Sequence, residues 1–526
     1  MPESGTRTTT RLANGAAGSL KLYREWAQIV WGTSEREIPE KDARFADEAW
    51  RRNPLYKRLA QGYFAFCDAV DAVAADQPDW RKRERDKFLA GILTSAVAPT
   101  NTLLGNPAAL RRAIETNGES LLQGARNLAN DIVNKQSLPA QVKPGQFVVG
   151  ENLAMTPGAV VFRNEMLELL QYQPTTAKVR RIPTLMIVPP IGKYYFMDLA
   201  PKRSFTEFAV AQNTQFFTTS WRNPQAEHGD WGLDEYVQSC LAAVDAVCEI
   251  TGSRKVNLLG LCAGGIIATL MLSYMARRKD KRINAAAFGV MLLDFASETP
   301  IGAFKSAGLL NLARRRSQSK GILPASSLSN VFAWMRPNDL IWNYWVNNYL
   351  HGKDPPAFDI LGWSVDATNL PSRLHSQFLE IFSRNVLTEK GAVEILGEPV
   401  DLAAIKVDKL VTGAISDHLT PWAACYRTTQ LLGGESTFVL SNSGHIASLV
   451  NPPGNAKSTY YLGPSPGPDP QQWLEQATKH TGSWWEVWSG WSAKRSGALI
   501  PARKQLGSKR HPVLGPAPGD YVRQPA

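Results

Sequence analysis

Apolar residues over positions 1–180 recur at helical intervals rather than alternating. After Asn106-Pro107 an apolar pattern runs to Ile114, Asn117-Gly118 marks a turn, and Leu121, Leu122, Ala125, Leu128 and Ile132 then follow at helical spacing. This predicts a mostly helical, amphipathic N-terminal region whose apolar faces cover a neighbouring domain or a second subunit. From Arg181 the texture changes. Leu185–Val188, Phe216–Thr219, Val256–Leu259 and Phe288–Leu293 are apolar runs of strand length, and Tyr236–Ile250 between two of them suits a helix. Such alternation indicates a parallel sheet with helical crossovers, an α/β core. Between about Ser297 and Ile405 the alternation lapses into a segment dense in aromatics, among them Phe332, Trp334, Trp342, Tyr344, Trp345, Tyr349, Phe358 and Trp363. Strand-like runs return at Lys409–Thr412 and Ser436–Leu440. The expected organisation is a helical region over 1–180, an α/β domain over 181–490 with an inserted cap over 297–405, and a tail over 491–526.

Composition narrows the class. The chain has 526 residues, 44% hydrophobic and 20% charged, ordinary globular usage that argues against a disordered, collagenous or repeat protein. Its longest apolar stretches, such as Ala285–Leu293, fall well short of the roughly 20 residues of a membrane helix, and Met1–Thr10 has no apolar signal segment, so a cytoplasmic protein without a transmembrane segment is expected. The net charge of +11 is unevenly placed: Trp491–Ala526 carries seven basic residues against Asp520 alone. That tail is also rich in Pro and Gly, which predicts a loosely packed, solvated extension, with binding of an anionic partner as the alternative. No aromatic-interleaved basic module points to nucleic acid. Five scattered cysteines without CxxC spacing argue against both a disulfide framework and a zinc site, so no metal is expected.

One cysteine stands apart from the ordinary buried hydrophobe. Gly260-Leu261-Cys262-Ala263-Gly264-Gly265 follows the apolar run Val256–Leu259 and precedes Ile267, Leu270, Met271 and Tyr274, which share one helical face. A strand-to-helix turn with small flanking residues is the setting of a nucleophile elbow, with Cys in place of the usual Ser; the alternative is a packed structural Cys. At such a turn the helix N-terminus favours a thiolate and a developing oxyanion, and the N–H of Ala263 is the natural first oxyanion donor. A thiol titrating near ~8.5 needs a base. In this fold nucleophile, acid and histidine follow in that chain order. Asp417 comes after the run Lys409–Thr412, and His445 after Phe438–Leu440. Asp417 could instead be a turn acid near Thr420-Pro421, His445 a structural histidine, and His418 is the rival base.

Longer stretches carry a resemblance. They are Val188-Pro189-Pro190 with Lys193-Tyr194-Tyr195 and Asp198-Leu199, Ser220–Pro224, Gly260–Gly265, Met335–Tyr344, Asp366–Pro371, Asp417-His418, Ser443–Ile446, and Pro516–Gly519 with Tyr521-Val522. In these the chain resembles the polyhydroxyalkanoate synthases of the single-chain type, with Trp334–Leu361 most similar to those using medium-chain monomers. The resemblance implies an α/β-hydrolase fold with an inserted cap. It implies an acyltransferase that polymerises (R)-3-hydroxyacyl-CoA into a polyester with release of CoA, without a cofactor. Cys262 would carry the acyl group, His445 would be the general base and Asp417 its partner or an activator of the substrate hydroxyl. Association with the polyester granule surface in the cytoplasm and a homodimer would follow. One departure concerns Pro190-Ile191-Gly192-Lys193, a residue shorter than the family pattern and without its Asn. This loop is the usual source of the second oxyanion donor, here assigned to the N–H of Ile191. A cysteine-dependent thioesterase and a non-catalytic granule scaffold are the alternative readings, and a Trp- and Tyr-lined cap that keeps water from the acyl enzyme would separate a polymerase from a hydrolase.

Overall fold

A computed structural model describes residues 23–296 and 307–526. They divide into two compact units, one of residues up to Lys143 with Asn330–Pro356, the other of Pro144–Ser329 with Ala357–Ala526.

The first unit contains helices α1 (Pro54–Ala75), α2 (Trp80–Ala96), α3 (Pro107–Glu115) and α4 (Glu119–Val133), of which the first three start where side chains satisfy free backbone donors. Asn53 accepts from the N–H groups of Leu55 and Tyr56, Asp79 from Arg81 and Lys82, and Asn106 from Ala109. Phe45, Trp50 and Tyr63 form the buried centre beside α1. The spacing-based helices exist, but α4 turns the other way. It buries Ser120, Gly124 and Asp131, while Leu122 and Ile132 are 54% and 67% exposed. The reason is a contact remote in sequence: a Cβ on Gly124 would overlap the Tyr349 carbonyl oxygen, and Asp131 Oδ2 accepts from the Tyr349 hydroxyl at 2.6 Å.

The aromatic stretch is correspondingly not one cap. Residues 330–356 belong with the N-terminal helices, where Trp345 meets the rings of Trp342 and Tyr349 and its Nε1 donates to the Asn101 carbonyl. The expected insertion over 297–405 is therefore divided between the units, because long-range packing and not chain continuity defines a compact body. Residues 297–306 lie outside the described residues.

The second unit is built on a sheet whose described strands are β1 (Gly158–Arg163), β2 (Leu167–Tyr172), β3 (Thr184–Ile187), β4 (Phe216–Trp221), β5 (Val256–Leu261), β6 (Ile283–Gly289), β7 (Asp408–Ala414), β8 (Ser436–Ser441), β9 (Thr459–Leu462), β10 (Thr478–Thr481) and β11 (Gly515–Pro516). Their order is β10-β9-β8-β7-β6-β5-β3-β4-β2-β1-β11. The strands from β4 to β8 are parallel to their neighbours, with antiparallel strands at both flanks. Every residue of β5 is buried, as a strand covered on both faces requires. The helices that matter below are α5 (Leu233–Thr251), α6 (Cys262–Arg277), α7 (Trp422–Leu431), α8 (His445–Val450) and α9 (Trp484–Arg495). No helix among the described residues is long and apolar enough to cross a membrane.

Three boundaries differ from the sequence reading. β1 and β2 precede position 181, so the helical region stops short of 180; these short strands are recognised by their antiparallel partners, not by a long period. The run Phe288–Leu293 is mostly beyond β6, because apolarity reports burial whereas a strand also needs ladder partners. The tail is no loose extension. α9 crosses the expected boundary at 490, β11 pairs with β1, Leu499–Pro501 pairs with Lys178–Arg180, and Tyr521 and Val522 are buried. Most of its basic residues are exposed, Arg495 on α9 excepted, while residues 515–516 pair with the sheet edge.

Candidate active site

Parallel pairing of β5, β6, β7 and β8 brings the carboxyl ends of these strands to one side of the sheet. Cys262 immediately follows β5, Asp417 lies just past β7, and His445 starts α8 after β8.

Cys262 has φ +47°, a left-handed conformation that L-residues seldom adopt. The strained turn lifts its side chain off the strand end, and it stays half-buried. Close approach explains the glycines. A Cβ on Gly264 would lie 2.4 Å from the Val188 carbonyl carbon, and one on Gly260 would lie 2.8 Å from the Gly265 Cα. Both the start of α6 and the end of β3 therefore sit against the elbow. Ala263 follows Cys262 in the first turn of α6, where backbone N–H groups have no intrahelical partner.

Asp417 serves two partners. Its Oδ1 accepts from the N–H groups of Leu419 and Thr420 at 2.8 and 2.9 Å, the turn-acid arrangement. Its Oδ2 accepts from His445 Nδ1 at 2.7 Å and from the Thr420 hydroxyl at 2.6 Å. Thr420 Oγ1 also lies 3.1 Å from His445 Nδ1. With Nδ1 committed to Asp417, Nε2 is the ring nitrogen left to face the neighbouring Cys262. Cys262, Asp417 and His445 are thus brought together, with His445 bonded to Asp417.

The electrostatics follow from this contact set. Burial alone would lower the His445 pKa, but the negative sulfur of Cys262 and the carboxylate of Asp417 outweigh it and raise it to about 10. Burial pushes Asp417 upward, yet His445 and Thr420 hold it below the usual carboxylate value. The contact set therefore favours the protonated imidazolium form of His445 and the ionised form of Asp417. Cys425, fully buried on α7, donates to the Thr420 carbonyl and is pushed far above the ordinary thiol range by burial, which leaves it inert.

Support comes from α9. The indole N–H groups of Trp484 and Trp485 donate to the Ser448 and Leu449 carbonyls at 2.9 and 2.7 Å, satisfying the end of the short helix that His445 begins. Neither these tryptophans nor Thr420 stands out in the sequence; only the Asp-to-Thr interval of a turn hints at Thr420. Ile191 is half-buried in the loop after β3, followed by Gly192 at φ +89°. Among the described residues no cluster of His, Cys, Asp or Glu could hold a metal ion.

Comparisons agree with this architecture. Residues 41–209 match the family model described as poly-beta-hydroxybutyrate polymerase (PhaC) N-terminus, and residues 197–452 match that of the alpha/beta hydrolase fold. Poly(3-hydroxyalkanoate) polymerases 1 and 2 of Ectopseudomonas oleovorans are each 43% identical, over 95% and 96% of this chain and 89% and 90% of theirs. The poly(3-hydroxyalkanoate) polymerase subunit PhaC of Cupriavidus necator is 39% identical over 95% of this chain and 86% of its own.

Proposed function

Because the chain belongs to the poly(3-hydroxyalkanoate) polymerase family of acyltransferase-type, polyester-forming enzymes, we propose that it polymerises (R)-3-hydroxyacyl-CoA through a thioester on Cys262. The observation that carries this reading is one buried imidazole, His445, held by Asp417 Oδ2 at 2.7 Å beside Cys262 at the elbow.

In the first step the Cys262 sulfur attacks the thioester carbonyl carbon. The carbonyl oxygen becomes an oxyanion, received by the N–H groups of Ala263 and Ile191. The carbon–sulfur bond to CoA breaks, and the departing thiolate takes the proton held on His445. One thioester replaces another of similar energy. In the second step the 3-hydroxyl of another acyl unit gives its proton to His445 and attacks the Cys262 thioester. An ester bond forms and Cys262 leaves as the thiolate. Asp417 keeps His445 in the tautomer that presents Nε2. Repetition lengthens the polyester, and CoA is carried by the substrate, so the cycle uses no cofactor.

Medium-chain monomers are the proposed side-chain class, on the resemblance of Trp334–Leu361. Action as a homodimer at a cytoplasmic granule surface rests on family membership alone.

The test is incubation with (R)-3-hydroxyacyl-CoA. CoA release with insoluble polyester is expected; CoA release with only free 3-hydroxy acid would overturn the polymerase reading in favour of a hydrolase. Cys262→Ala should abolish covalent acyl loading. His445→Ala should cut turnover at least about 100-fold, while His418→Ala should not.

A further inference from the structure

The loop that follows β3 is fastened by a part of the chain remote in sequence. Lys193, two residues after Ile191, has a side chain only 5% exposed. An ammonium group has three protons to donate, and burial makes each unsatisfied one costly. Lys193 Nζ donates to the Val522 and Gln524 carbonyls at 2.7 and 2.9 Å and pairs with Asp366 Oδ1 at 2.9 Å. Asp366 is itself oriented, its Oδ2 accepting from the Tyr195 hydroxyl at 2.8 Å. The Asn223 amide adds a second clasp, donating to the Pro525 carbonyl.

The same loop is gripped along its length. Thr368 Oγ1 donates to the Pro190 carbonyl at 2.9 Å and accepts from the Gly192 N–H at 2.8 Å. Trp363 Nε1 donates to the Lys193 carbonyl at 2.7 Å. At its start, Val188 abuts Gly264 of the elbow. The last residues are tied to the segment that carries the assigned Ile191 donor, and a catalytic donor must be held to within roughly 0.5 Å.

We propose that Lys193 is a positioning residue that uses the C-terminal residues Val522–Pro525 as a strap to set the oxyanion loop. Lys193 touches no reacting atom; it acts through the backbone between itself and Ile191. The proposal rests on the Cys262 acyl-enzyme reading and assigns the chain's C-terminal end a part in it.

The experiment compares the full chain with Lys193→Met, with a chain ending at Arg523, and with both changes together, using (R)-3-hydroxyacyl-CoA as the probe. Gln524, Pro525 and Ala526 are half-buried or exposed, so their removal should leave the fold intact. Each single change is expected to lower kcat about 10- to 100-fold with KM within about twofold, since a displaced oxyanion donor affects the transition state more than substrate binding. The double variant should be no worse than about twice the weaker single one, because both break one strap. An unchanged kcat in either variant, a loss confined to KM, or additive losses would overturn the proposal. If Lys193→Met does not fold, the shortened chain decides alone. Acyl loading of the unaltered chain is measured first. Loading without polymer would reject the polymerase reading and leave this comparison intact, whereas loading equally fast in the variants would reject the strap.

Discussion

At the scale of single residues the site is decided by a few hydrogen-bonding atoms. Thr420 supports both members of the acid–base pair, through 2.6 Å to Asp417 Oδ2 and 3.1 Å to His445 Nδ1. Thr420→Val removes a hydrogen bond to a charged group and should lower turnover about 10-fold or more, whereas Thr420→Ser should stay close to the parent in a CoA-release assay. His445 also links the site to stability. Its value is raised to about 10, so the native state favours the protonated ring. That contribution is complete below the unfolded value of about 6.5 and fades as pH rises through about 10. Asp417 is shifted the other way, and its share is present above about 3.9 and lost as pH falls through its depressed folded value. Urea denaturation should therefore show a larger stability gap between the parent and His445→Gln near pH 6 than near pH 10. Cys262, Asp417 and His445 were legible because each follows a strand-like run in a fixed chain order. Thr420 was not, since a single hydroxyl in a turn leaves no pattern in a sequence.

Elements set the accuracy of that geometry. The elbow requires β5, α6 and the end of β3 to approach as closely as bare backbone allows, and Gly264 is where the space runs out. Gly264→Ala would drive its methyl group into the Val188 carbonyl carbon, a backbone atom that cannot swing aside. A loss of about 1–3 kcal/mol in stability, together with loss of acyl loading, is expected in thermal unfolding and single-turnover measurements. Parent-like stability and loading would show that α6 can slide. Helix α4 teaches the converse lesson. Its period was readable, but which face it buries depends on Gly124 meeting Tyr349, more than two hundred positions away, and no local window contains that contact.

For the whole molecule, the chain end closes the sheet. Glu168 on β2 is fully buried and accepts from the N–H groups of Asp520 and Tyr521 as well as from Arg163. Removing residues 515–526 would strip β11 from β1 and deprive that carboxylate of two donors. A loss of about 3–5 kcal/mol in chemical denaturation is expected, because the buried carboxylate loses two charge-assisted hydrogen bonds of about 1.5–3 kcal/mol each and keeps only Arg163. A stability change below about 1 kcal/mol would show that water replaces them. The positive charge of this segment had suggested a solvated tail. Charge describes where side chains point, and the backbone beneath was free to complete a ladder.

Sequence by itself determined the α/β alternation, the strand–turn–helix setting of Cys262 and the positions of Asp417 and His445, because burial and local backbone needs leave periodic and short-range marks. Only the tertiary structure decided which face of α4 is buried, that residues 330–356 join the N-terminal helices, that Thr420 backs the histidine, and that the C-terminus fastens Lys193. Each of these depends on atoms brought together from distant parts of the chain, and their attraction acts through space at a few ångströms, a distance that sequence order does not record.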